Sequence, residues 1–362
     1  MKAHRPSDEP RRTEGPPDPG ISQRATSGAD SWWRQQMWAV WVAGAAAFAA
    51  PAVADALSFL PPAAGWLFSA TQVLALLALA TAWSTVADVL GRLDLGHAVF
   101  IGVGAYTCGG AVIALGWPPA AAPLAGAAGA ALLGAVAGAL LLRLPAPAFS
   151  LATFGLLVLV RELVRSATPL TRGPQGLALP ATLGQIVLYR GMLVGCLAAL
   201  ALGWALRRRR REVAASVSGR IAAYAATTAV SGLVGGLWAA QRLFVNPDNA
   251  FAAMWTFDMA WAAALGGIGT PVGPLAGGAA LLAIREVWPV GVTSWRPVLE
   301  GVLLIAGVLL LPGGLLGRRG GDGPMWTLLG RPPSPPPARM PDTTWPAGGE
   351  NASATPVQER VW

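Results

Sequence analysis

Charged residues are scarce in this sequence and make up only 12% of its 362 residues, whereas a soluble domain usually carries about 25%. Of the 26 basic and 18 acidic residues, 11 lie in residues 1–36 and nine in residues 318–362, which leaves 24 for the 281 residues between them. A stretch with so few charges could not cover the surface of a soluble globule. The composition therefore excludes a soluble single-core protein and predicts a polytopic membrane protein.

Residues that build metal, disulfide and nucleotide sites are also few. Cys108 and Cys196 both lie in apolar runs, so they give neither a disulfide framework nor metal-ligand spacing. His4 and His97 are the two histidines, too few for an HExxH motif or a zinc cluster, and no GxxxxGK[ST] phosphate loop occurs. We therefore expect no metal site, no cofactor and no catalytic nucleophile–base arrangement, and predict that the chain is not an enzyme.

The excess of positive charge has a simple explanation in a membrane protein. The net charge is +8, and Arg207–Arg211 with Arg220 lie between two apolar runs. Cytoplasmic loops of membrane proteins are enriched in arginine and lysine, which accounts for this cluster without nucleic-acid binding. No nucleic-acid partner is expected.

Ten apolar runs predict an all-α fold with about ten transmembrane or partly crossing helices. A full crossing takes about 20 residues, so the shorter runs predict broken or partial crossings. We place a transmembrane domain at residues 37–317, between a disordered tail at 1–36 and a disordered proline-rich tail at 318–362. The predicted runs are Met37–Leu57, Gly65–Ala87, Val99–Leu115, Leu124–Leu142, Phe149–Val164, Leu188–Leu206, Ile221–Gln241, Phe251–Leu265, Pro274–Trp288 and Val298–Leu311.

An even number of crossings puts both termini on the same side of the membrane, together with the arginine run at 207–211. The positive-inside rule makes that side the cytoplasm. Several other arginines fall at or near the opposite side, so this orientation depends mainly on the arginine run and the tails.

The segment Leu90–Tyr106 carries the strongest motif. It contains Leu95-Gly96-His97-Ala98, then Phe100, Gly102 and Gly104-Ala105-Tyr106. It resembles the G-x-x-S-L-G-H-A-x-F-x-G-x-G-A-Y signature of the branched-chain amino-acid ABC transporter permeases of the LivM type. Asp94 stands where that family usually has Ser, Asp88 where it usually has Gly, and Ser84 where it usually has Asn.

Three further blocks extend the resemblance in the family's order. Thr171–Leu177 is similar to the T-G-G-x-N-G-L loop, with Arg172 and Gln175 as departures. Asp258 followed by Leu265–Pro274 is similar to the E-x7-G-G-x-G-S-x-x-G-P block, with Asp258 in place of Glu. Leu310–Gly317 is similar to the closing F-x-P-x-G-L-x-G. Four blocks in order make the resemblance specific.

The resemblance implies a permease subunit of an ABC importer in the inner (plasma) membrane, with branched-chain amino acids or related small amino acids and amides as substrates. It implies four kinds of partner: a second, LivH-like permease subunit, two ABC ATPase subunits, an extracytoplasmic substrate-binding protein and the lipid bilayer. The motif residues that we expect near the translocation path are Asp94, Gly96, His97, Gly102, Gly104, Tyr106, Thr171, Gly173, Gly176, Asp258, Gly266, Gly267, Gly269 and Gly273.

The resemblance also predicts an ATPase-coupling helix in the loop at 207–220. The family pattern there is A-I-R-E-x-x-x-A-A-x-x-L-G, but this loop is shorter and lacks the I-R-E core. Two interpretations stay open: a working coupling contact, or an arginine anchor on anionic headgroups. The candidate coupling residues are Arg211, Glu212, Ala214, Ala215 and Gly219.

Charged residues inside apolar runs call for partners. Asp88 and Arg92 are spaced i, i+4, so we expect them to pair on one helical face. Asp258 is expected either to pair with an arginine or to line the path.

Two other functions remain open at this stage. Glycine breaks in short apolar runs also fit an ATP-independent channel or secondary carrier. The shortened loop fits a non-transporting subunit kept for assembly.

Overall fold

A computed structural model describes residues 42–51, 63–180, 183–270 and 272–287, with short pieces between 298 and 316. The two predicted tails lie outside the described residues, as does most of the tenth apolar run. The helices are α1 (Val42–Pro51), α2 (Ala63–Leu90), α3 (Ala98–Ile113), α4 (Ala122–Leu141), α5 (Ala146–Ser166), α6 (Thr168–Thr171), α7 (Gln185–Arg208), α8 (Arg210–Ala215), α9 (Val217–Arg242), α10 (Pro247–Ala250), α11 (Met254–Gly266) and α12 (Gly273–Val287).

The fold is all-α, as the apolar runs predict. Within the described ranges, α2, α4, α5, α7 and α9 are long and apolar enough to cross a membrane. The helices α3, α11 and α12 are shorter, at 16, 13 and 15 residues, and correspond to short predicted runs. The predicted number of about ten helices is therefore approximate, because small helices such as α6 and α10 carry no hydropathy signal.

Local sequence explains where several helices begin and end. Proline occupies the first turn of α4 and of α5, where its missing N–H costs nothing. The hydroxyl of Ser216 accepts a hydrogen bond from the Gly219 amide and caps the start of α9. Asn246 and Asn249 form a reciprocal capping box on α10.

Helix α9 is the centre of the bundle. It packs against α2, α3, α4 and α7, while α11 packs against both α2 and α12. The helices α4 and α5 lie at the periphery, since only 28% and 17% of their spans are buried, against 78% for α2. Their exposed apolar side chains, such as Leu132 and Leu151, suit contact with lipid or with another subunit.

Close helix contacts in the centre depend on glycine. A Cβ added to Gly104 in α3 would lie 2.2 Å from the Gly232 carbonyl oxygen in α9, and one added to Gly126 in α4 would lie 2.7 Å from the Gly104 oxygen. Gly134 and Gly138 similarly face Thr228 and Tyr224 of α9. Gly126 thus allows backbone-to-backbone contact, whereas Gly134 and Gly138 make room for side chains of α9.

A two-residue antiparallel pairing joins the segments at the end of α9. Strand β1 (Leu177–Ala178) pairs with β2 (Phe244–Val245), with Leu177 opposite Val245. This contact ties the Thr171–Leu177 block to the C-terminal end of α9, whereas α8 precedes its N-terminal end. With a rise of 1.5 Å per residue, the 26 residues of α9 separate these two regions by roughly 39 Å.

Candidate functional site

The loop between α2 and α3, residues 91–97, runs into the bundle and is held there by hydrogen bonds to its backbone. The Trp83 indole Nε1 donates to the Asp94 carbonyl oxygen at 2.7 Å, and the Ser150 hydroxyl donates to the Leu93 carbonyl oxygen at 2.6 Å. Gly91 begins the loop with a φ of +64°, a conformation that suits glycine. Helices α2 and α5 therefore fix the path of the loop.

Asp94 is the acceptor at the centre of this loop and is 1% exposed. One carboxylate oxygen, Oδ2, lies 2.9 Å from His97 Nδ1 and accepts a hydrogen bond from the Tyr224 hydroxyl at 2.7 Å. The other, Oδ1, accepts from the Gly96 amide at 3.1 Å. A buried carboxylate needs such donors, and these three satisfy it.

His97 joins the loop to α9. Its Nε2 lies 2.8 Å from the Ser231 hydroxyl, and the imidazole is fully buried. We refer to Asp94, His97, Tyr224 and Ser231 as the polar cluster. Rings of Phe100 and Phe149 contact Tyr224 edge-on at centroid distances of 5.7 and 6.0 Å, so aromatic side chains pack against the tyrosine of the cluster.

The contacts Ser231–His97–Asp94 follow the order of a nucleophile–base–acid triad, which the sequence analysis did not anticipate. Ser231 and His97 are 0% exposed, so the hydroxyl is closed to solvent and substrate in this conformation. What the cluster does here is hold the α2–α3 loop to α9.

Glycines of the Leu90–Tyr106 motif let the α2–α3 loop and α3 approach neighbouring parts of the chain closely. A Cβ on Gly96 would overlap the Thr153 carbonyl oxygen, at 1.8 Å, and one on Gly102 would lie 2.3 Å from the Phe251 ring. Tyr106 stacks on Phe251 at a centroid distance of 5.9 Å. Its buried hydroxyl has no hydrogen-bond partner among the described residues.

The second motif block forms a turn on the other end of the bundle. The Thr171 hydroxyl donates to the Val164 carbonyl oxygen at 2.6 Å and closes the end of α5. Gly173 and Gly176 have φ of +54° and +73°, and a Cβ on Gly176 would lie 2.5 Å from the Val245 oxygen. Arg172 is also left-handed, with φ +59°, a conformation that strains a non-glycine residue.

The third and fourth blocks contact each other. Gly267, with φ +106°, ends α11, and a Cβ on Gly266 would overlap the Gly273 oxygen at 1.7 Å. The Leu315 and Leu316 amides donate to the carbonyl oxygens of Leu265 and Gly266 at 2.7 and 3.0 Å. Gly269 is exposed in the turn between α11 and α12, and Asp258 is half-buried in α11.

The predicted coupling loop contains the short helix α8. Most of the candidate coupling residues are exposed, whereas Val213 is buried against Val89 and Ala223. The exposed candidates are Arg211, Glu212, Ala214 and Ala215, and Gly219 is half-buried at the start of α9. Helix α8 thus has an outward polar face and an inward apolar contact.

The predicted pairing of Asp88 with Arg92 was wrong. Asp88 Oδ2 accepts from Arg207 Nε at 2.8 Å, and its Oδ1 lies 3.4 Å from Arg210 Nη1. Helix α2 ends at Leu90, so Arg92 has left the helical face that carries Asp88.

Arg92 turns instead toward α5. It donates to the Leu144 carbonyl oxygen and lies 5.8 Å from the centre of the Phe149 ring. Desolvation by burial, followed by the positive charge of Arg220, lowers the pKa of Arg92 from its ordinary value. The Leu144 carbonyl oxygen and the face of the Phe149 ring offset part of the cost of burying the Arg92 guanidinium.

Sequence reasoning named Asp94 and His97 but missed Tyr224 and Ser231, which lie 130 and 134 residues from their partners. A signal for them exists in the sequence. Tyr224, Thr227 and Ser231 are polar residues at spacings of three and four in a mostly apolar run, which places them on one face of a helix. All three are buried.

Spanning helices, glycine-mediated contacts and a sealed polar cluster together define an all-α polytopic membrane protein. A family model described as the branched-chain amino acid transport system permease component matches residues 65–186 and 218–310. The chain belongs to this family. No curated protein and no solved structure matches the chain.

The family match confirms the resemblance drawn from the motifs and makes the chain a membrane component of a transport system. The matched ranges contain the first three motif blocks and reach the first residue of the fourth. They leave out residues 187–217, which hold nearly all of α7 and the whole of α8. The unmatched interval therefore also includes residues 207–217 of the predicted coupling loop.

Proposed function

We propose that the chain is a LivM-type permease subunit of an ABC importer that takes up branched-chain amino acids or related small amino acids and amides. It forms half of the translocation path and carries out no chemical step itself. A second, LivH-like permease forms the other half, two ATPase subunits bind on the cytoplasmic side, and an extracytoplasmic binding protein delivers the substrate.

The observation that carries this proposal is the family match on both sides of α7 and α8, with the motif blocks packed into one bundle. Helix α8 adds support, because it is a short exposed helix between two spanning helices, which suits insertion into a cleft of another protein. The broad exposed faces of α4 and α5 suit burial against a second permease and lipid.

The orientation follows from the arginine run. Residues Arg208–Arg211 are exposed where α7 meets α8, which favours the cytoplasmic side of the inner (plasma) membrane for this end of the bundle. Both termini then lie in the cytoplasm. The Thr171–Leu177 turn and α10 lie on the extracytoplasmic side, where a binding protein docks.

The assembly is tested by affinity purification of the tagged chain from its native membranes, followed by mass spectrometry. We expect a second permease and a nucleotide-binding subunit to be recovered with it. Recovery of the second permease without any ATPase would contradict ATP-driven import and favour a subunit kept for assembly. Recovery of the chain alone, in a detergent that preserves a known ABC importer, would contradict both the ABC importer and the assembly subunit.

The energy source separates an ABC importer from a secondary carrier. We expect uptake of radiolabelled leucine, isoleucine or valine to persist when a protonophore collapses the proton gradient while ATP is maintained, and to stop when ATP is depleted. Loss of uptake with the protonophore alone would favour the carrier. A strain that lacks the chain supplies the background.

A further inference from the structure

Asp88 joins three helices at the end of the bundle that carries α8. It lies in the last turn of α2, Arg207 in the last turn of α7 and Arg210 in the first turn of α8. Its two carboxylate oxygens are divided between the arginines, with Oδ2 on Arg207 at 2.8 Å and Oδ1 on Arg210 at 3.4 Å. One carboxylate therefore fixes α8 to two spanning helices.

The inner half of this contact is buried. The side chains of Asp88 and Arg207 are 9% and 12% exposed, whereas that of Arg210 is 56% exposed. Arg207 also lies within hydrogen-bond distance of the hydroxyls of Thr85 and Ser84, at 3.3 and 3.4 Å. Removing Asp88 would leave a buried guanidinium without its counter-charge, which is costly.

An apolar contact reinforces the ionic one. Val213, on the inward face of α8, packs with Val89 of α2 and Ala223 of α9. Leu90 and Leu206 cover the same contact. Helix α8 is therefore attached to the last turn of α2 by a charge pair and by side-chain packing together.

The last turn of α2 leads directly into the loop of the polar cluster. Gly91 follows Leu90 with a φ of +64°, and a Cβ there would meet no atom within 4 Å, so this point has space around it. Three residues later, Asp94 accepts hydrogen bonds from Tyr224 and the Gly96 amide. The end of α2 that contacts α8 is therefore only a few residues from the loop of the polar cluster.

Only part of this contact lies within the family match. Asp88 falls inside the matched range 65–186, whereas Arg207 and Arg210 fall in the interval 187–217 that the family model leaves unmatched.

We propose that Asp88, Arg207 and Arg210 form a clamp that makes α8 and the end of α2 move as one unit. The proposal builds on the proposed function, in which an ATPase subunit binds α8. Asp88 acts as a positioning residue, because it transmits movement and touches no substrate.

The clamp itself is tested on the isolated chain by hydrogen–deuterium exchange of the peptide that spans residues 206–218. Asp88→Asn removes the counter-charge, and we expect amide exchange in α8 to rise at least about tenfold. Arg210→Gln removes only the exposed half of the contact and leaves the buried Asp88–Arg207 pair in place. It is therefore the variant to use if Asp88→Asn fails to fold. We expect it to raise exchange by roughly fivefold. Unchanged exchange in a folded variant of either kind would overturn the clamp.

A matched control is an ion pair elsewhere on the surface. Glu162 pairs with Arg161 and Arg165 on α5, and its side chain is 48% exposed. We expect Glu162→Gln to leave exchange in α8 unchanged. Asp88→Glu keeps the negative charge, and we expect it to retain the protection of the α8 amides from exchange. A role of Asp88 in helix capping alone would not require the charge.

Coupling is tested in the importer purified from native membranes and reconstituted into nanodiscs. We expect Asp88→Asn and Arg210→Gln to retain the ATPase subunits but to lose most of the stimulation of ATP hydrolysis by the substrate-loaded binding protein. Full stimulation in both variants would overturn the clamp and leave the proposed function intact. Failure of any ATPase to co-purify with the wild-type chain is the separate outcome that refutes the proposed function.

Discussion

The buried carboxylate of Asp94 shows how one residue can fix a loop within a membrane protein. It accepts hydrogen bonds from the Tyr224 hydroxyl and the Gly96 amide, and it pairs with His97, which in turn reaches Ser231. Asp94 therefore attaches the loop to α9 twice, directly through Tyr224 and indirectly through His97 and Ser231.

Replacement of Asp94 by alanine tests this attachment. The substitution leaves the Tyr224 hydroxyl and His97 Nδ1 buried without their partner, while the Gly96 amide keeps the Thr153 hydroxyl at 3.3 Å as an acceptor, so we expect a loss of stability of about 3 kcal/mol. Tyr224→Phe removes a single hydrogen bond and keeps the ring contacts with Phe100 and Phe149, so we expect a loss of about 1 kcal/mol. Chemical unfolding of the purified protein in detergent measures both.

Glu212→Ala provides the control for that comparison, because Glu212 is exposed on α8 and its replacement should leave the unfolding midpoint unchanged. An Asp94→Ala protein that loses no more stability than Tyr224→Phe would contradict the central position of the carboxylate.

At the scale of whole helices, sequence hydropathy predicted the long elements well. The run Ile221–Gln241 corresponds to α9, which spans Val217–Arg242, and the run Gly65–Ala87 corresponds to α2, which spans Ala63–Leu90. Each helix extends a few residues beyond its run, because its ends carry polar and charged residues such as Arg242 and Asp88. Hydropathy reports only the apolar middle of a helix.

The interactions between elements could not be read from the same signal. The partner of Asp88 was predicted at Arg92, four residues away, whereas the observed partner Arg207 is 119 residues away. The short helix α10 and the strands β1 and β2 are too short to produce an apolar run in the sequence. Local spacing describes one helix at a time, and these contacts arise only when distant segments pack.

Glycine substitutions on α3 test the packing of α3 against α9. A Cβ on Gly104 would lie 2.2 Å from the Gly232 oxygen and 2.5 Å from its Cα, both backbone atoms that cannot move aside. We therefore expect Gly104→Ala to separate the helices and cost about 2 kcal/mol. The measurement is the thermal unfolding midpoint in detergent.

Gly110 lies on the same helix with no atom within 4 Å of the added Cβ. Gly110→Ala should be neutral or stabilise the protein by up to about 1 kcal/mol, because alanine favours the helix. Equal midpoints for the two variants would show that α3 and α9 do not approach as closely as described.

At the scale of the whole molecule, different motifs contact different parts of α9, so the two ends of the bundle carry different features. Helix α8 adjoins the N-terminal end of α9, the polar cluster contacts α9 from Tyr224 to Ser231 around its middle, and the Thr171–Leu177 turn is tied to its C-terminal end through β1 and β2. A single central helix thus links the two membrane faces, which suits a protein that alternates access between them.

The orientation of the bundle in the membrane can be tested by labelling cysteines placed at its two ends. Ser218 is exposed near the start of α9, and Thr168 is exposed at the start of α6, just beyond the end of α5. Ser218 is preferable to Ser216, whose hydroxyl caps α9. We expect Ser218→Cys to react with an impermeant maleimide only in inside-out vesicles and Thr168→Cys only in intact cells or spheroplasts. The natural Cys108 and Cys196 are buried and give little background. The opposite pattern would reverse the orientation, place α8 outside the cytoplasm and remove it from the reach of any ATPase.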